Sequence, residues 1–93
     1  GGFYENIPRM LQDGFTAKIK KDAVPVLPIF TLMQKEGKIP ERDMFNTFNM
    51  GVGMCMVVSP ETADKAVSAI NATGEEAMIL GELVNGDEGV ILW

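Results

Sequence analysis

Met50-Gly51-Val52-Gly53-Met54-Cys55-Met56-Val57-Val58 is the longest apolar run in the chain, and its placement decides the fold. A bilayer span takes about 20 apolar residues, so this run of nine crosses no membrane. Read as a strand, it puts Val52, Met54, Met56 and Val58 on one face and Gly53, Cys55 and Val57 on the other. Both faces are apolar, which predicts a central strand covered on both sides.

The elements around it follow from periodicity and punctuation. After the run, Ser59 is placed to cap a helix with Pro60 at its first position. Ala63, Ala66, Val67 and Ile70 keep a helical spacing, and Gly74 ends the helix. Ala77 to Val84 reads as a strand, Asn85-Gly86 as a hairpin turn, and Gly89 to Trp93 as the returning strand. Before the run, Pro40 opens a short helix with Glu41 and Asp43 near its positive end, and Met44, Phe45 and Phe48 share one face. Pro28 starts an earlier helix through Glu36, with Gly37 as its stop. Phe15 to Lys20 alternates, with Phe15, Ala17 and Ile19 inward and Thr16, Lys18 and Lys20 outward. Gly1-Gly2 leads into a short helix, Phe3 to Leu11, interrupted at Pro8.

The resulting order predicts one α+β domain over residues 1–93. Helices pack on a mixed β-sheet, partly ferredoxin-like, and the last two strands form an antiparallel hairpin.

Composition narrows the function. The 93 residues hold 8 basic and 13 acidic side chains, no histidine and one cysteine, for a net charge of -5. A Ser-His-Asp triad, a Cys-His dyad and a His-ligated metal are therefore excluded within the chain. The acidic balance argues against a general nucleic-acid binder. No signal peptide is visible, and the lone Cys55 fits a reducing compartment. Seven of the eight bases fall in residues 1–42, which admits an anion site or a solvated face with lysines protecting a sheet edge. The seven methionines read as core packing, and Cys55 as buried and inert.

Two segments carry candidate chemistry. Gly1-Gly2 before a helix, followed by Glu5-Asn6-Ile7-Pro8-Arg9, would form a backbone cradle for a phosphate, with Asn6 as a neutral donor and Arg9 adding charge. The same residues also read as a frayed end and a surface helix. Phe45-Asn46-Thr47-Phe48-Asn49-Met50-Gly51-Val52-Gly53-Met54 places two asparagines beside two glycines. Asn49 and Gly51 would form the neighbouring wall of the site, or Asn49 would simply stop a helix. Gly53 would mark the close approach of a ligand or of another backbone, or relieve crowding. No catalytic and no metal-ligating residue is assigned.

Together, Gly1-Gly2-Phe3-Tyr4-Glu5-Asn6-Ile7-Pro8-Arg9 and Thr47-Phe48-Asn49-Met50-Gly51-Val52-Gly53-Met54 resemble the C-terminal domain of the aminoimidazole ribonucleotide synthetases, the phosphoribosylformylglycinamidine cyclo-ligases. Pro28-Ile29-Phe30 and Gly37 also fall where that family has them, and the resemblance covers essentially the whole chain. It implies an enzyme of de novo purine synthesis in the cytoplasm, a homodimer using ATP and Mg²⁺. The formamide oxygen of formylglycinamidine ribonucleotide is activated, an internal amine attacks that carbon, phosphate leaves and the imidazole ring closes. The family's first motif continues upstream with a His, a Thr and a further Gly. The chain is thus expected to be the truncated C-terminal domain of a longer enzyme, lacking the ATP-binding N-terminal domain and inactive alone. Gly1, Gly2, Asn6 and Arg9, with Asn49 and Gly51, would hold the substrate's ribose phosphate. The alternatives are another ATP-using member of the superfamily, such as a selenophosphate synthetase or a thiamine-phosphate kinase, or a small non-catalytic ferredoxin-like regulatory module.

Overall fold

The alternating stretch after the Asp13-Gly14 turn becomes the middle of the sheet. The structure, a computed structural model, describes all residues from 1 to 93. Strand β1, Phe15–Ile19, lies between β2, Gly81–Asn85, and β3, Val90–Leu92. It runs antiparallel to β2, pairing Phe15 with Asn85 through Ile19 with Gly81. Its pairing with β3 is parallel, Ala17 with Val90 through Ile19 with Leu92. Gly81 permits the close approach of β2 to β1, since a Cβ there would overlap the Lys18 carbonyl. Beyond β3, the Trp93 amide donates to Ile19 O at 3.0 Å and the Lys21 amide to Trp93 O at 2.8 Å.

Four helices surround the sheet. Helix α1, Phe3–Asn6, passes into a 3-10 turn at Ile7–Met10 where Pro8 has no N–H to donate. Helix α2, Pro28–Gly37, begins on its proline, and α3, Glu41–Thr47, carries Glu41 and Asp43 in its first turn. Helix α4, Ala63–Asn71, follows a 3-10 turn at Pro60–Thr62. Phe3 of α1 meets Phe45 of α3 edge-on, with ring centroids 5.4 Å apart. Arg42 lies 4.0 Å over the Tyr4 ring, and the Asn46 amide donates to Glu5 at 3.3 Å. Met44 and Met50 are fully enclosed, and Ile7, Ala17, Ile19, Val24 and Val90 complete the core with the two phenylalanines. No helix is long and apolar enough to cross a membrane.

The α+β class and the mixed sheet hold, but several expected elements do not. Residues 50–58 form no strand. The chain turns at Met50 and Gly51, with φ of 57° and 104°, and both sides of β1 are already occupied by β2 and β3. Without a ladder for its N–H and C=O groups an apolar run is not a strand, whatever its composition. Met54 is 81% exposed, and Met56, Val57 and Val58 are exposed too. The sheet therefore has three strands where four were expected.

The hairpin is also corrected. β2 and β3 run in opposite directions but flank β1 instead of pairing with each other. Residues 86–89 cross the start of β1: the Gly86 amide donates to Gly14 O and the Ala17 amide to Gly89 O. The Thr16 hydroxyl donates to the Glu88 carboxylate and accepts from the Glu88 amide, each at 3.2 Å. That long-range attachment overrides the local Asn-Gly signal. It also buries Thr16 completely while Phe15 is exposed, reversing the expected facing at the start of the strand.

Smaller corrections concern ends and exposure. The left-handed residue closing α2 is Lys38, φ 51°, one past Gly37. Ser59 stands at a helix start, but its hydroxyl pairs with Thr62 at 2.9 Å instead of a backbone amide. Gly53 has nothing within reach of a Cβ, so it neither relieves crowding nor admits another backbone. Of the methionines, Met44 and Met50 are core, whereas Met10, Met54 and Met56 are exposed.

Candidate functional site

The two motifs meet. A cleft of about 250 Å³ opens between α1 with its 3-10 turn and the loop that follows α3. Gly1, Gly2 and Asn6 line one side; Asn49, Gly53 and Cys55 line the other. Ile7, Met10, Val52 and Met54 give the cleft apolar walls, and no charged side chain lines it.

Each side is held by specific local bonds. Gly2 is buried because α1 packs directly on α3: a Cβ at Gly2 would overlap the Asn46 carbonyl and the Phe45 oxygen. The Asn6 side-chain Nδ2 donates to Gly2 O at 2.9 Å, bracing the glycine pair. Gly1 lies so close to that amide that a Cβ would displace it. On the other side, Asn49 Oδ1 accepts the Gly51 amide at 2.8 Å, closing a tight turn. Met50 in that turn is 2% exposed despite its left-handed backbone, and its carbonyl accepts the Leu27 amide at 3.2 Å. Its side chain is anchored in the core, which over-determines a conformation that a bulky residue rarely adopts.

Four of the six expected site residues thus come together: Gly1, Gly2, Asn6 and Asn49. The other two do not line the cleft. Gly51 serves the turn, with φ 104° and its Cα against the Leu27 side chain. Arg9 lies exposed outside the cleft and makes no ion pair. The phosphate cradle loses its charged member with Arg9, and α1, at four residues, is too short to contribute much of a helix dipole. Asn49 stops no helix, since α3 ends at Thr47.

Cys55 was missed as a site residue. It is half-buried in the cleft wall, and burial pushes its thiol above the ordinary value, so it remains protonated at neutral pH. The only sequence signal is its position two residues after Gly53, directly beyond the end of that motif.

The clustered bases of the first half lie elsewhere. Lys18 and Lys20 border a separate cleft of about 340 Å³ with Glu82 and Trp93, their ammonium groups 5.0 and 5.4 Å from the Trp93 ring. Lys18 stands on the central strand and Lys20 directly follows it, so edge protection does not explain them. Lys21 pairs with Glu41 at 2.6 Å, and the hydrogen bond and charge of Glu41 raise the lysine's pKa.

A family model described as AIR synthase related protein, C-terminal domain, matches residues 1–93. The chain belongs to this family. Among the relatives of the AIR synthase C-terminal domain are phosphoribosylformylglycinamidine cyclo-ligases from Lachnoclostridium phytofermentans, 53% identical, and Agathobacter rectalis, 47% identical, each over 92 residues. Both alignments take in 99% of this chain and 27% of the relative. The cyclo-ligase of Acetivibrio thermocellus is 50% identical over 90 residues, 97% of this chain and 26% of its own length. The chain spans about a quarter of the length of the curated relatives it matches.

Proposed function

We propose that this AIR synthase C-terminal domain is part of an ATP-dependent cyclo-ligase that closes the imidazole ring of formylglycinamidine ribonucleotide, giving aminoimidazole ribonucleotide in purine biosynthesis. The observation that carries the reading is identity of 47–53% to cyclo-ligases along nearly the whole chain. The relatives reported above are cyclo-ligases, which favours that activity over a selenophosphate synthetase-like or thiamine-phosphate kinase-like one, and no feature of the structure favours a free-standing regulatory module.

Within that enzyme, the cleft between α1 and residues 49–55 is the part of the substrate site that this domain supplies. Its residues bind and orient; none of them is a general acid, base or nucleophile. ATP supplies the phosphoryl group that activates the formamide oxygen, with Mg²⁺ to neutralise its phosphates. The chain brings no three carboxylate, cysteine or histidine side chains together as a metal site, so its own residues do not fit the ion and no step is assigned to them through it. We place ATP handling in the parts of the relatives that this chain does not span. A homodimeric, cytoplasmic enzyme is the matching expectation.

The test is ring closure by the full-length protein with formylglycinamidine ribonucleotide, ATP and Mg²⁺. ATP-dependent aminoimidazole ribonucleotide formation is expected, with none from the 93 residues alone. A folded full-length protein that fails to turn over, or an isolated domain that does, overturns the reading.

A further inference from the structure

Backbone groups of known polarity fix the orientation of both asparagines in the cleft. The Gly2 carbonyl can only accept, so Asn6 must turn Nδ2 toward it. The Gly51 amide can only donate, so Asn49 must turn Oδ1 toward it. What remains available is complementary. Asn6 Oδ1, an acceptor, and Asn49 Nδ2, a donor, have no partner elsewhere in the protein. Both residues line one cleft whose other walls are apolar or glycine and which contains no charged side chain.

We propose that this cleft recognises a neutral amide group, a planar H–N–C=O. The ligand's N–H donates to Asn6 Oδ1, and its C=O accepts from Asn49 Nδ2. This deepens the function proposed above and rests on it in one respect: the cleft faces the substrate. An amide presents one donor and one acceptor, the two kinds of partner that the asparagines leave open. A phosphate presents acceptors alone; the Asn6 oxygen would repel it, and no basic side chain lines the cleft to hold it. The domain therefore grips the formamide portion of the substrate, and the ribose phosphate lies outside this cleft. Asn49 acts by orientation, since its carboxamide has no acid–base role.

The test uses full-length protein labelled with ¹⁵N at asparagine, with N-formylglycinamide and inorganic phosphate as separate probes. N-formylglycinamide is expected to shift the Asn49 side-chain amide resonance, and phosphate to leave it in place. Asn49→Asp keeps an oxygen for the Gly51 amide, so the turn is retained, but it replaces the free donor with an acceptor. It should weaken N-formylglycinamide binding about tenfold or more and raise the Michaelis constant for formylglycinamidine ribonucleotide similarly, with that for ATP little changed. A shift of the Asn49 resonance with phosphate, or unaltered amide binding by a folded Asn49→Asp protein, overturns the proposal. Wild-type protein that binds N-formylglycinamide through Asn49 but never closes the ring would sink the cyclo-ligase reading and leave the amide site standing.

Discussion

Replacing Gly2 with alanine tests the close approach of α1 to the backbone of α3. Gly2 has φ −93° and ψ 170°, an extended conformation that alanine adopts freely, so backbone strain contributes nothing. The cost is entirely one of space. The new Cβ would overlap the Asn46 carbonyl and the Phe45 oxygen, backbone atoms of α3 that cannot rotate away. Overpacking of this kind costs about 1–3 kcal/mol. The lower entropy of the unfolded alanine chain offsets about 0.4–1 kcal/mol of that. A net loss of about 1–2 kcal/mol is expected, and each kcal/mol lowers the melting temperature of a domain this size by about 4–8 °C. Gly53→Ala is the control, since a Cβ there meets nothing within 4 Å, and it should melt at or a few degrees above the parent. The assay is thermal unfolding followed by far-ultraviolet circular dichroism on both variants. If Gly2→Ala melts together with Gly53→Ala, α1 does not rest on the α3 backbone, and the wall of the cleft is built differently.

Met44→Ala empties the most enclosed site in the core and should cost about 2–5 kcal/mol in urea unfolding; a loss under about 1 kcal/mol would place Met44 at the surface. The domain exposes 6536 Å², whereas a folded protein of 10.1 kDa exposes about 5,300 Å². The excess surpasses one partner's share of a standard interface, about 800 Å². Sedimentation of the isolated 93 residues should therefore show self-association rising with concentration, and a compact monomer throughout would contradict the exposure of Met54 to Val58. Cys55 should react with iodoacetamide more slowly than free cysteine at neutral pH. Its raised pKa keeps thiolate scarce, so its rate should climb only at higher pH, and a profile matching free cysteine would mean the thiol is not buried. For Lys21 the folded value is also raised, by the hydrogen bond and charge of Glu41. The pair's contribution is present at neutral pH and is lost as pH rises through the lysine's titration; being exposed, Glu41→Gln should leave the melting temperature at neutral pH almost unmoved, and a large drop would show a buried pair.

Local signals read well where the structure is local. The two prolines opening α2 and α3, the helical spacing of Ala63 to Ile70 and the alternation of Phe15 to Lys20 all place elements within a residue or a few of where they lie. Pairing was not legible. Whether Met50 to Val58 enters a sheet depends on which strands have already taken the sides of β1, and nothing in nine apolar residues records that. Asn85-Gly86 carries a turn preference, but the bonds of Thr16 to Glu88, 72 residues apart, decide where the chain goes. For the cleft, residue types at motif positions revealed Gly1, Gly2, Asn6 and Asn49. They do not reveal direction: the residue type marks Asn6 as a donor, yet its donor is occupied by Gly2 and an oxygen is what it offers. Arg9 drew notice by its charge, and the structure gives that charge no part in the cleft.

The middle position of β1 carries a kinetic consequence. It appears near the start of the chain, while both strands that flank it lie in the last thirteen residues. On a ribosome, β1 would wait with its amide and carbonyl groups unmatched until nearly the whole domain had been synthesised. Closing loops of more than sixty residues before any ladder bond forms is an entropic barrier, so folding should be slow for a domain of this size. Until then the apolar side chains of β1 and of the 50–58 run are both accessible, and this is when a nascent chain is most exposed to aggregation.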